Sequence, residues 1–207
     1  MKLEPIPDIV VSRLPRYLQS LHRMRQAGQL TTSSQDLSSK IGISAAQIRK
    51  DFSQFGEFGK QGIGYSIPFL IEQLEDILKV NLVWDIALVG IGDLGHAIAR
   101  YQGFTNRGFK VAVVFDNDPA RIGTIIGDFV VQDSAQIIPI IQNLGIKVAM
   151  LTVPASAAQS VAEILVKAGV TAILNYAPIV LNLPSGIRVE YIDPIIQLQH
   201  MTFYLQS

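Results

Sequence analysis

The fold of this 207-residue chain is decided by the stretch WDIALVGIGDLG, residues 84–95. Its first six residues form an apolar run typical of a buried β-strand, and residues 96–101, after the last glycine, have helical character. A G-x-G-x-x-G motif alone is a weak signal, but a strand before it, a helix after it and an acid further on are typical of a dinucleotide site. That acid is Asp116, which ends a predicted strand at residues 111–115.

Each glycine of this motif meets a specific steric requirement of a dinucleotide site. Gly90 allows the tight turn, Gly92 lets the backbone approach a pyrophosphate, and Gly95 lets the helix pack closely on the strand. The Asp116 carboxylate can accept hydrogen bonds from both hydroxyls of an adenosine ribose, and its charge would repel a 2′-phosphate. The pattern therefore predicts NAD(H), against the alternative of a purely structural glycine cluster.

Strands and helices continue to alternate after Asp116. Further strands are predicted at residues 129–131, 147–153, 171–174 and 187–191. This alternation predicts a Rossmann-like, doubly wound parallel sheet, with its ligand crevice outside the carboxyl ends of the strands. The candidate cofactor residues at or near that edge are Gly90, Ile91, Gly92, Asp93, Leu94, Gly95, Asp116, Val153, Pro154 and Asn175.

The N-terminal part of the chain predicts a pair of short helices. Apolar residues recur at helical spacing from Pro7 to Gln26, and Pro15 within that run predicts a kink or a late start. Ser33 is the predicted N-cap of the next helix, which should end at Gly42. Ser44 and Gln47 then form a predicted capping box.

Two short helices joined by a Gly-Ile-Ser turn predict a helix-turn-helix, although such pairs also occur in proteins that do not bind DNA. The second helix of this motif enters the major groove. Residues 58–65 hold three glycines, a lysine and two aromatics, which favours a wing over a plain flexible hairpin. The candidate DNA-contacting residues are Ser44, Ala46, Gln47, Arg49, Lys50, Lys60 and Gln61. A structural helix is predicted at residues 67–80.

The amino-acid composition supports this domain organisation and excludes several classes of protein and of site. The net charge is zero, yet residues 1–60 hold nine basic and five acidic side chains, which suggests a module that faces nucleic acid. The absence of cysteine excludes thiol catalysis and zinc sites built on cysteine. Lys147, Pro154 and Pro178 are among the residues that interrupt the apolar stretches before they reach membrane-spanning length. We expect a soluble cytoplasmic protein.

The C-terminal segment is apolar on nearly all sides. Its apolar residues are Ile192, Ile195, Ile196, Leu198, Met201, Phe203, Tyr204 and Leu205. On a monomer, a helix of this kind would expose a large apolar patch, so we expect a partner subunit to bury it. A helix-turn-helix protein that reads a palindrome also needs two-fold symmetry.

Taken together, the chain resembles the Rex family of bacterial redox-sensing transcriptional repressors, nearly end to end. The segments that carry the resemblance are residues 12–17 (SRLPRY), 48–56 (IRKDFSQFG), 59–65 (GKQGIGY), 90–95 (GIGDLG), 115–119 (FDNDP), 151–154 (LTVP) and 173–178 (ILNYAP). The glycine motif is shared with many enzymes, whereas its combination with a winged helix and the RKDFSQFG run is specific. The chain departs from the family pattern at Gln61 and Gln54, where relatives usually show a basic residue and a tyrosine.

The resemblance implies a homodimer with exchanged C-terminal helices. It also implies binding to palindromic operators when the NADH/NAD⁺ ratio is low, and release when NADH binds. By motif, Arg13 of the first helix, Asp193 and Tyr101 of the helix after the glycine loop would take part in a state-dependent ion-pair network, with Tyr101 also near the cofactor. The predicted domains are residues 1–80 (winged helix), 81–190 (NAD(H)-binding) and 191–207 (exchanged helix).

Two alternatives remain from the residues themselves. An NAD-dependent oxidoreductase would need a catalytic group, but the three histidines lie on predicted helices and no catalytic constellation is evident. A repressor that senses coenzyme A or an acyl-CoA would use a similar fold, and Asp116 argues against it only in part. We therefore predict a regulator without catalytic or metal-binding residues.

Overall fold

The structure is a computed structural model that describes residues 6–56 and 64–205. In chain order its elements are α1 (Asp8–Val11), α2 (Leu14–Gln26), β1 (Thr31–Thr32), α3 (Ser34–Ile41), α4 (Ala45–Ser53), β2 (Tyr65–Ser66), α5 (Ile67–Leu78), β3 (Trp84–Val89), α6 (Asp93–Ala99), β4 (Phe109–Asp116), β5 (Ile125–Ile126), β6 (Phe129–Val130), β7 (Gln132–Asp133), α7 (Ile137–Leu144), β8 (Val148–Leu151), α8 (Ala155–Lys167), β9 (Ala172–Asn175), β10 (Arg188–Tyr191) and α9 (Pro194–Thr202). Short 3₁₀ segments occupy Gln102–Arg107, Ser134–Gln136 and Phe203–Leu205.

The chain divides into two compact units, one ending at Asn81 and the other beginning at Leu82. Each unit has its own apolar core. The first core contains side chains of α2, α4 and α5, among them Leu21, Ile48 and Leu70, all fully buried. The second lies on the two faces of the large sheet, as expected for strands covered by helices on both sides.

The N-terminal apolar run forms two helices rather than one kinked helix. The break falls at residues 12–13, and Pro15 lies in the first turn of α2, where its missing N–H costs nothing. This is the late start that Pro15 predicts. Arg13 is the N-cap of α2 and not an interior residue of the first helix, which corrects the expectation drawn from the resemblance.

The helix-turn-helix is α3, a tight turn and α4. The Ser33 hydroxyl accepts from the Asp36 amide at 3.0 Å, and the Asp36 carboxylate accepts from the Ser33 amide, which completes a capping box. Gly42 ends α3 in the left-handed conformation, at φ 71°. The predicted cap at Gly42 and the predicted N-cap at Ser33 are both present.

The second predicted capping box is only half correct. The Ser44 hydroxyl accepts from the Gln47 amide at 3.2 Å, but the Gln47 side chain does not return to Ser44. Its Nε2 instead donates to the Asp51 carboxylate at 2.7 Å. A hydrogen bond to a buried charged acceptor is stronger than one between neutral groups at an exposed helix end, so the carboxylate attracts the amide group.

A two-stranded ribbon lies next to the helix-turn-helix, where β1 and β2 pair antiparallel. Gly64 directly precedes β2 and has φ 84°, and a Cβ there would lie 2.6 Å from the Thr32 carbonyl oxygen. Only glycine therefore fits this position. The predicted wing contacts Lys60 and Gln61 lie outside the described residues. The helix predicted at residues 67–80 is α5, which ends earlier than expected, at Leu78.

The second unit is built on a six-stranded parallel sheet in the order β10-β9-β8-β3-β4-β7. The first strand of the unit, β3, lies at the centre, and the chain leaves it towards both edges. This is the doubly wound arrangement, whose ligand crevice is at the carboxyl ends of the strands where the winding reverses, between β3 and β8.

One strand prediction was wrong. Residues 129–131 are not the third strand of the parallel sheet: β6 pairs antiparallel with β5 in a separate hairpin. The turn between them contains Gly127 at φ 59°, a conformation that suits a two-residue hairpin turn. The edge strand of the large sheet is instead β7, which pairs with the end of β4.

The C-terminal helix α9 contains no buried residue. It is shorter than the predicted apolar segment, and the chain continues into the 3₁₀ turn Phe203–Leu205. Over residues 6–56 and 64–205, no helix combines the length and the apolarity that crossing a bilayer requires.

Candidate functional site

The glycine loop follows β3 and is fixed by its neighbours. Gly90 has φ 94°, and its amide donates to the Phe115 carbonyl of β4 at 2.8 Å. A Cβ at Gly90 would lie 2.8 Å from the Thr152 carbonyl oxygen, which follows β8. The loop is therefore wedged between two neighbouring strands, and a side chain at this position would force them apart.

The other two glycines have different surroundings. A Cβ on the buried Gly95 would overlap the Gly90 carbonyl oxygen, so glycine here allows α6 to pack against the loop. Gly92 is the N-cap of α6, and no atom beyond its two chain neighbours lies within 4 Å of where a Cβ would be. Gly92 therefore faces open space, which leaves room for a phosphate group to approach the backbone.

Asp116 ends β4 with its side chain turned towards this loop. It is 4% exposed, and its Oδ2 accepts from the Ile91 amide at 2.6 Å. Its Oδ1 accepts from the Asp118 amide at 2.8 Å, and Arg121 Nη1 lies 3.3 Å from Oδ2. The acid predicted for ribose recognition is thus attached directly to the glycine loop.

The Asp116 carboxylate is charged at neutral pH. Burial raises its pKa, but hydrogen bonds from the Ile91 and Asp118 amides and from Arg121 more than compensate, so the pKa lies below its ordinary value. The charge that would repel a 2′-phosphate is therefore present.

Thr152 is a residue of this edge that the sequence reasoning missed. Its hydroxyl lies 2.7 Å from the Gly90 carbonyl oxygen and 3.0 Å from that of Val89, so it ties β8 to the start of the loop. Val153 beside it is half-buried, and Pro154 is the exposed N-cap of α8. The signal was a hydroxyl residue directly after a strand, at the edge where the glycines lie.

Asn175 is buried at the end of β9, and its amide is engaged within its own loop. Nδ2 donates to the carbonyls of Ala177 and Ile179, at 3.1 and 3.0 Å, and Oδ1 accepts from the Ala177 amide. Asn175 therefore shapes the loop after β9. The carboxyl ends of β3, β4, β8 and β9 bring together all the candidate cofactor residues of this edge.

Tyr101 is not in the helix after the glycine loop, which corrects the sequence prediction. α6 ends at Ala99, and Tyr101 precedes the 3₁₀ segment Gln102–Arg107. The Tyr101 ring is 53% exposed, lies over Gly103 and meets Phe104 edge-on at 5.1 Å. Asp193 is the N-cap of α9 and accepts from the Ile195 amide at 2.9 Å.

In the first unit, α4 presents its predicted DNA-contacting residues on an accessible face. Ser44, Ala46, Arg49 and Lys50 are exposed, whereas Ile48 between them is fully buried. Arg49 Nη1 donates to the Ser34 hydroxyl at 2.9 Å, which joins the middle of α4 to the first residue of α3.

Asp51 is a second residue that sequence reasoning missed. It is fully buried on α4 and binds Arg13 through two hydrogen bonds, from Nε at 2.6 Å and from Nη2 at 2.7 Å. The Tyr17 hydroxyl donates to it at 2.6 Å. Burial raises the pKa of Asp51, but the hydrogen bonds from Arg13, Tyr17 and Gln47 lower it by more. The pKa therefore lies below its ordinary value.

Two family models match the chain. One is described as "CoA binding domain" and matches residues 82–179, and the other as "Putative DNA-binding protein N-terminus" and matches residues 5–53. The chain is also 51% identical to the redox-sensing transcriptional repressor Rex of Roseiflexus sp. (strain RS-1), over 99% of this chain and 93% of the relative. The chain belongs to the Rex family of redox-sensing transcriptional repressors.

Solved structures of a relative agree with this membership. The Rex-family repressor RSP in complex with β-NAD⁺ and operator DNA has a TM-score of 0.92 and 35% identity, covering 98% of this chain and 93% of that one. RSP in complex with β-NADH has a TM-score of 0.89 and 33% identity, covering 98% and 95%.

The family membership confirms several predictions for this Rex-family chain. It is a DNA-binding repressor that senses redox state, with an N-terminal DNA-binding part and a C-terminal Rossmann-like part. Its relatives are named as regulators, so the alternative of an oxidoreductase is set aside.

Proposed function

We propose that this chain binds NADH and NAD⁺ at the carboxyl edge of the large sheet and that NADH releases it from operator DNA. The observation that carries the proposal is the buried, charged Asp116, joined to the Ile91 amide at 2.6 Å. A carboxylate in this position can accept both hydroxyls of the adenosine ribose while the glycine loop receives the pyrophosphate. The related RSP, crystallised with each form of the nucleotide, supports this assignment.

The cofactor residues remain those of the sequence analysis. Gly90, Gly92 and Gly95 would shape the loop, and Ile91, Asp93 and Leu94 would line it. Val153, Pro154 and Asn175 would flank the nicotinamide side, and Tyr101 would lie near the cofactor. The two redox forms share their adenosine and pyrophosphate, so discrimination must come from the nicotinamide end and from contacts that differ between the two states of the protein.

For DNA, we propose that α4 enters the major groove of a palindromic operator. Ser44, Ala46, Gln47, Arg49 and Lys50 lie on or near its accessible N-terminal half, and Lys60 and Gln61 would contact DNA from the wing. Because its partner is operator DNA, we propose that the protein acts in the cytoplasm.

We propose that the functional form is a homodimer with exchanged C-terminal segments. In this proposal the chain has three parts: a first domain at residues 1–80, a second at 81–190, and the exchanged segment at 191–207. The exposed apolar side chains of α9 and of the turn after it support this: Phe203 and Leu205 are each 78% exposed, and Ile196 is 59% exposed. Two-fold symmetry also fits a palindromic site.

We further propose that Arg13, Tyr101 and Asp193 change partners between the two redox states. Arg13 holds Asp51 through Nε and Nη2, which leaves Nη1 for a second acceptor such as Asp193. Double substitution of Arg13 and Asp193 tests this pair: if the two interact, the effects on NADH-induced release are not additive.

The central experiment is a binding titration on a fluorescent palindromic operator, with NADH and NAD⁺ added in turn. We expect NADH to weaken DNA binding by roughly 5- to 150-fold relative to NAD⁺, the usual range for coupling between two sites. Equal operator affinity in saturating NADH and saturating NAD⁺ would contradict the proposal.

The same titration includes coenzyme A and an acetyl-CoA arm, because the match to a CoA-binding family model over residues 82–179 favours such a ligand as the second candidate. If coenzyme A or acetyl-CoA released the protein from DNA and NADH did not, this second candidate would be favoured. Asp116→Ala separates the two, since only the NADH response depends on ribose recognition by this carboxylate.

A further inference from the structure

A buried carboxylate connects three side chains in the first unit. Asp51 of α4 is fully buried and accepts four hydrogen bonds, two from Arg13, one from Tyr17 and one from Gln47. Arg13 and Tyr17 belong to the start of α2, whereas Gln47 lies one turn earlier on α4 itself. The network therefore holds both the helix and the half-buried side chain of Gln47.

The apolar core already anchors α4 without this carboxylate. Ile48 is fully buried, and Phe52 is buried against the Tyr17 ring, which it meets edge-on at 5.3 Å. Burial of a charge costs free energy that an apolar residue of similar size would not cost, so packing of α4 alone does not account for an ion pair at this position. The geometry that Asp51 determines is that of Gln47.

Only one end of the Gln47 amide is held. Its Nε2 is 2.7 Å from Asp51 Oδ1, and no donor among the described protein residues reaches its Oε1. Nε2 and Oε1 are bonded to the same planar carbon, so the hydrogen bond from Nε2 to Asp51 restricts the direction in which the acceptor Oε1 points. In the major groove, the donors that an acceptor can read are the amino groups of adenine and cytosine.

We propose that Asp51 is a positioning residue for base recognition: it holds the Gln47 amide so that Oε1 accepts from the exocyclic amino group of an operator base. This inference rests on the proposed docking of α4 in the major groove. Asp51 itself does not contact DNA, and Gln47 is the residue that reads the base.

The test compares full-length wild type with Asp51→Asn, Gln47→Ala and the double variant, by anisotropy on a palindromic operator and on a scrambled duplex. The matched control is Asp76→Asn, an exposed aspartate of α5 in the same unit. Operators carrying single base changes then identify which position each variant no longer discriminates. We expect Asp51→Asn and Gln47→Ala each to reduce discrimination at the same base pair by about 10-fold, and the double variant to lose no more than Gln47→Ala.

A positioning role also predicts what does not change. The slope of log affinity against log salt should be the same in Asp51→Asn as in wild type, because no phosphate contact is lost. A loss of α4 structure would instead weaken all duplexes alike and alter that slope. Circular dichroism of each variant establishes that the helices are retained.

A second measurement, independent of DNA, keeps the inference testable if Asp51→Asn does not fold. In the free wild-type protein, the ¹⁵N relaxation of the Gln47 side-chain amide should indicate an order close to that of the backbone, and Tyr17→Phe should lower it. A freely mobile Gln47 side chain in wild type overturns the inference. So does an Asp51→Asn variant that folds and discriminates bases as wild type does. By contrast, a wild type that binds operator and scrambled DNA equally tightly contradicts the proposed function itself.

Discussion

Each of the two units contains a buried aspartate, and the two are held in different ways. Asp51 in the first unit is fully buried, and Asp116 in the second is 4% exposed. Both have a lowered pKa in spite of burial. The donors to Asp51 are three side chains, whereas Asp116 is held by two backbone amides and by Arg121, whose side chain is 46% exposed.

This difference separates a structural carboxylate from one that can serve a ligand. Arg13, Tyr17 and Gln47 enclose Asp51 with side chains of two packed helices, so a ligand could reach it only by displacing the core. The backbone amides that donate to Asp116 belong to loops at the carboxyl edge of the sheet, so the carboxylate lies at the rim of that edge. In the proposed site, displacement of the partly exposed Arg121 would free acceptor capacity on Asp116 for ribose hydroxyls.

The largest effect is expected for Asp51→Ala. It leaves the Arg13 guanidinium and the Tyr17 hydroxyl without their buried partner, which typically costs about 3–5 kcal/mol. We expect hydrogen exchange in α2 and α4 to accelerate accordingly, while the fluorescence of Trp84, the single tryptophan, still reports a folded second unit. Asp76→Ala on the exposed face of α5 is the control, and a loss below about 1 kcal/mol for Asp51→Ala would show that the network is dispensable.

Asp116→Ala should act mainly on the ligand. Removal of the carboxylate deletes hydrogen bonds to charged acceptors worth about 1.5–3 kcal/mol, so NADH affinity should fall by roughly 10- to 100-fold. Operator binding without nucleotide should be unchanged. Isothermal titration with NADH measures the first quantity, and Asp85→Ala, an exposed residue at the opposite end of the sheet, is the control. Unchanged NADH affinity would remove Asp116 from the site.

Local sequence patterns were sufficient to predict much of the fold and of the glycine loop. The glycine motif predicted the position of the loop because each glycine answers a steric demand between adjacent elements, as at Gly90 and Gly95. Ser33 and Gly42 were predicted correctly because caps depend on residues three or four apart in the chain. Asp116 was found because its distance from the glycines reflects one βαβ unit.

The errors arose where a distant residue decides. The Gln47 side chain turned to Asp51 rather than to Ser44, because the charge on Asp51 is stabilised by Arg13 and Tyr17, more than 30 residues away. The short run at residues 129–131 has the composition of a strand but not the length to determine which strand it pairs with. Asp51 itself looked like one more surface charge, since it follows Arg49 and Lys50.

Acid should reduce the free energy of unfolding that each aspartate contributes relative to an uncharged replacement. Both folded pKa values lie below the unfolded value of about 3.9, so each carboxylate contributes stability above that pH, and the contribution is lost as pH falls through the folded pKa. We expect the difference in unfolding free energy between wild type and Asp51→Asn to be constant from about pH 7 to pH 5 and to shrink below about pH 4. Urea titrations at these pH values measure it. A difference that increased towards acid would mean that Asp51 is protonated in the folded state.

The smallest effect is expected for Arg121→Gln. Its contact with Asp116 is a single 3.3 Å approach by a side chain that is 46% exposed, and exposed pairs contribute about 0–1 kcal/mol. The backbone amides of Ile91 and Asp118 would still hold the carboxylate, so NADH affinity should change by less than about 5-fold, while the pKa of Asp116 should rise towards its ordinary value, as measured by ¹³C NMR. A loss of NADH affinity as large as that of Asp116→Ala would make Arg121 part of the ligand site. In that case the charge at this rim would be shared by two side chains, and the contrast with the enclosed Asp51 would lie in access rather than in the type of donor.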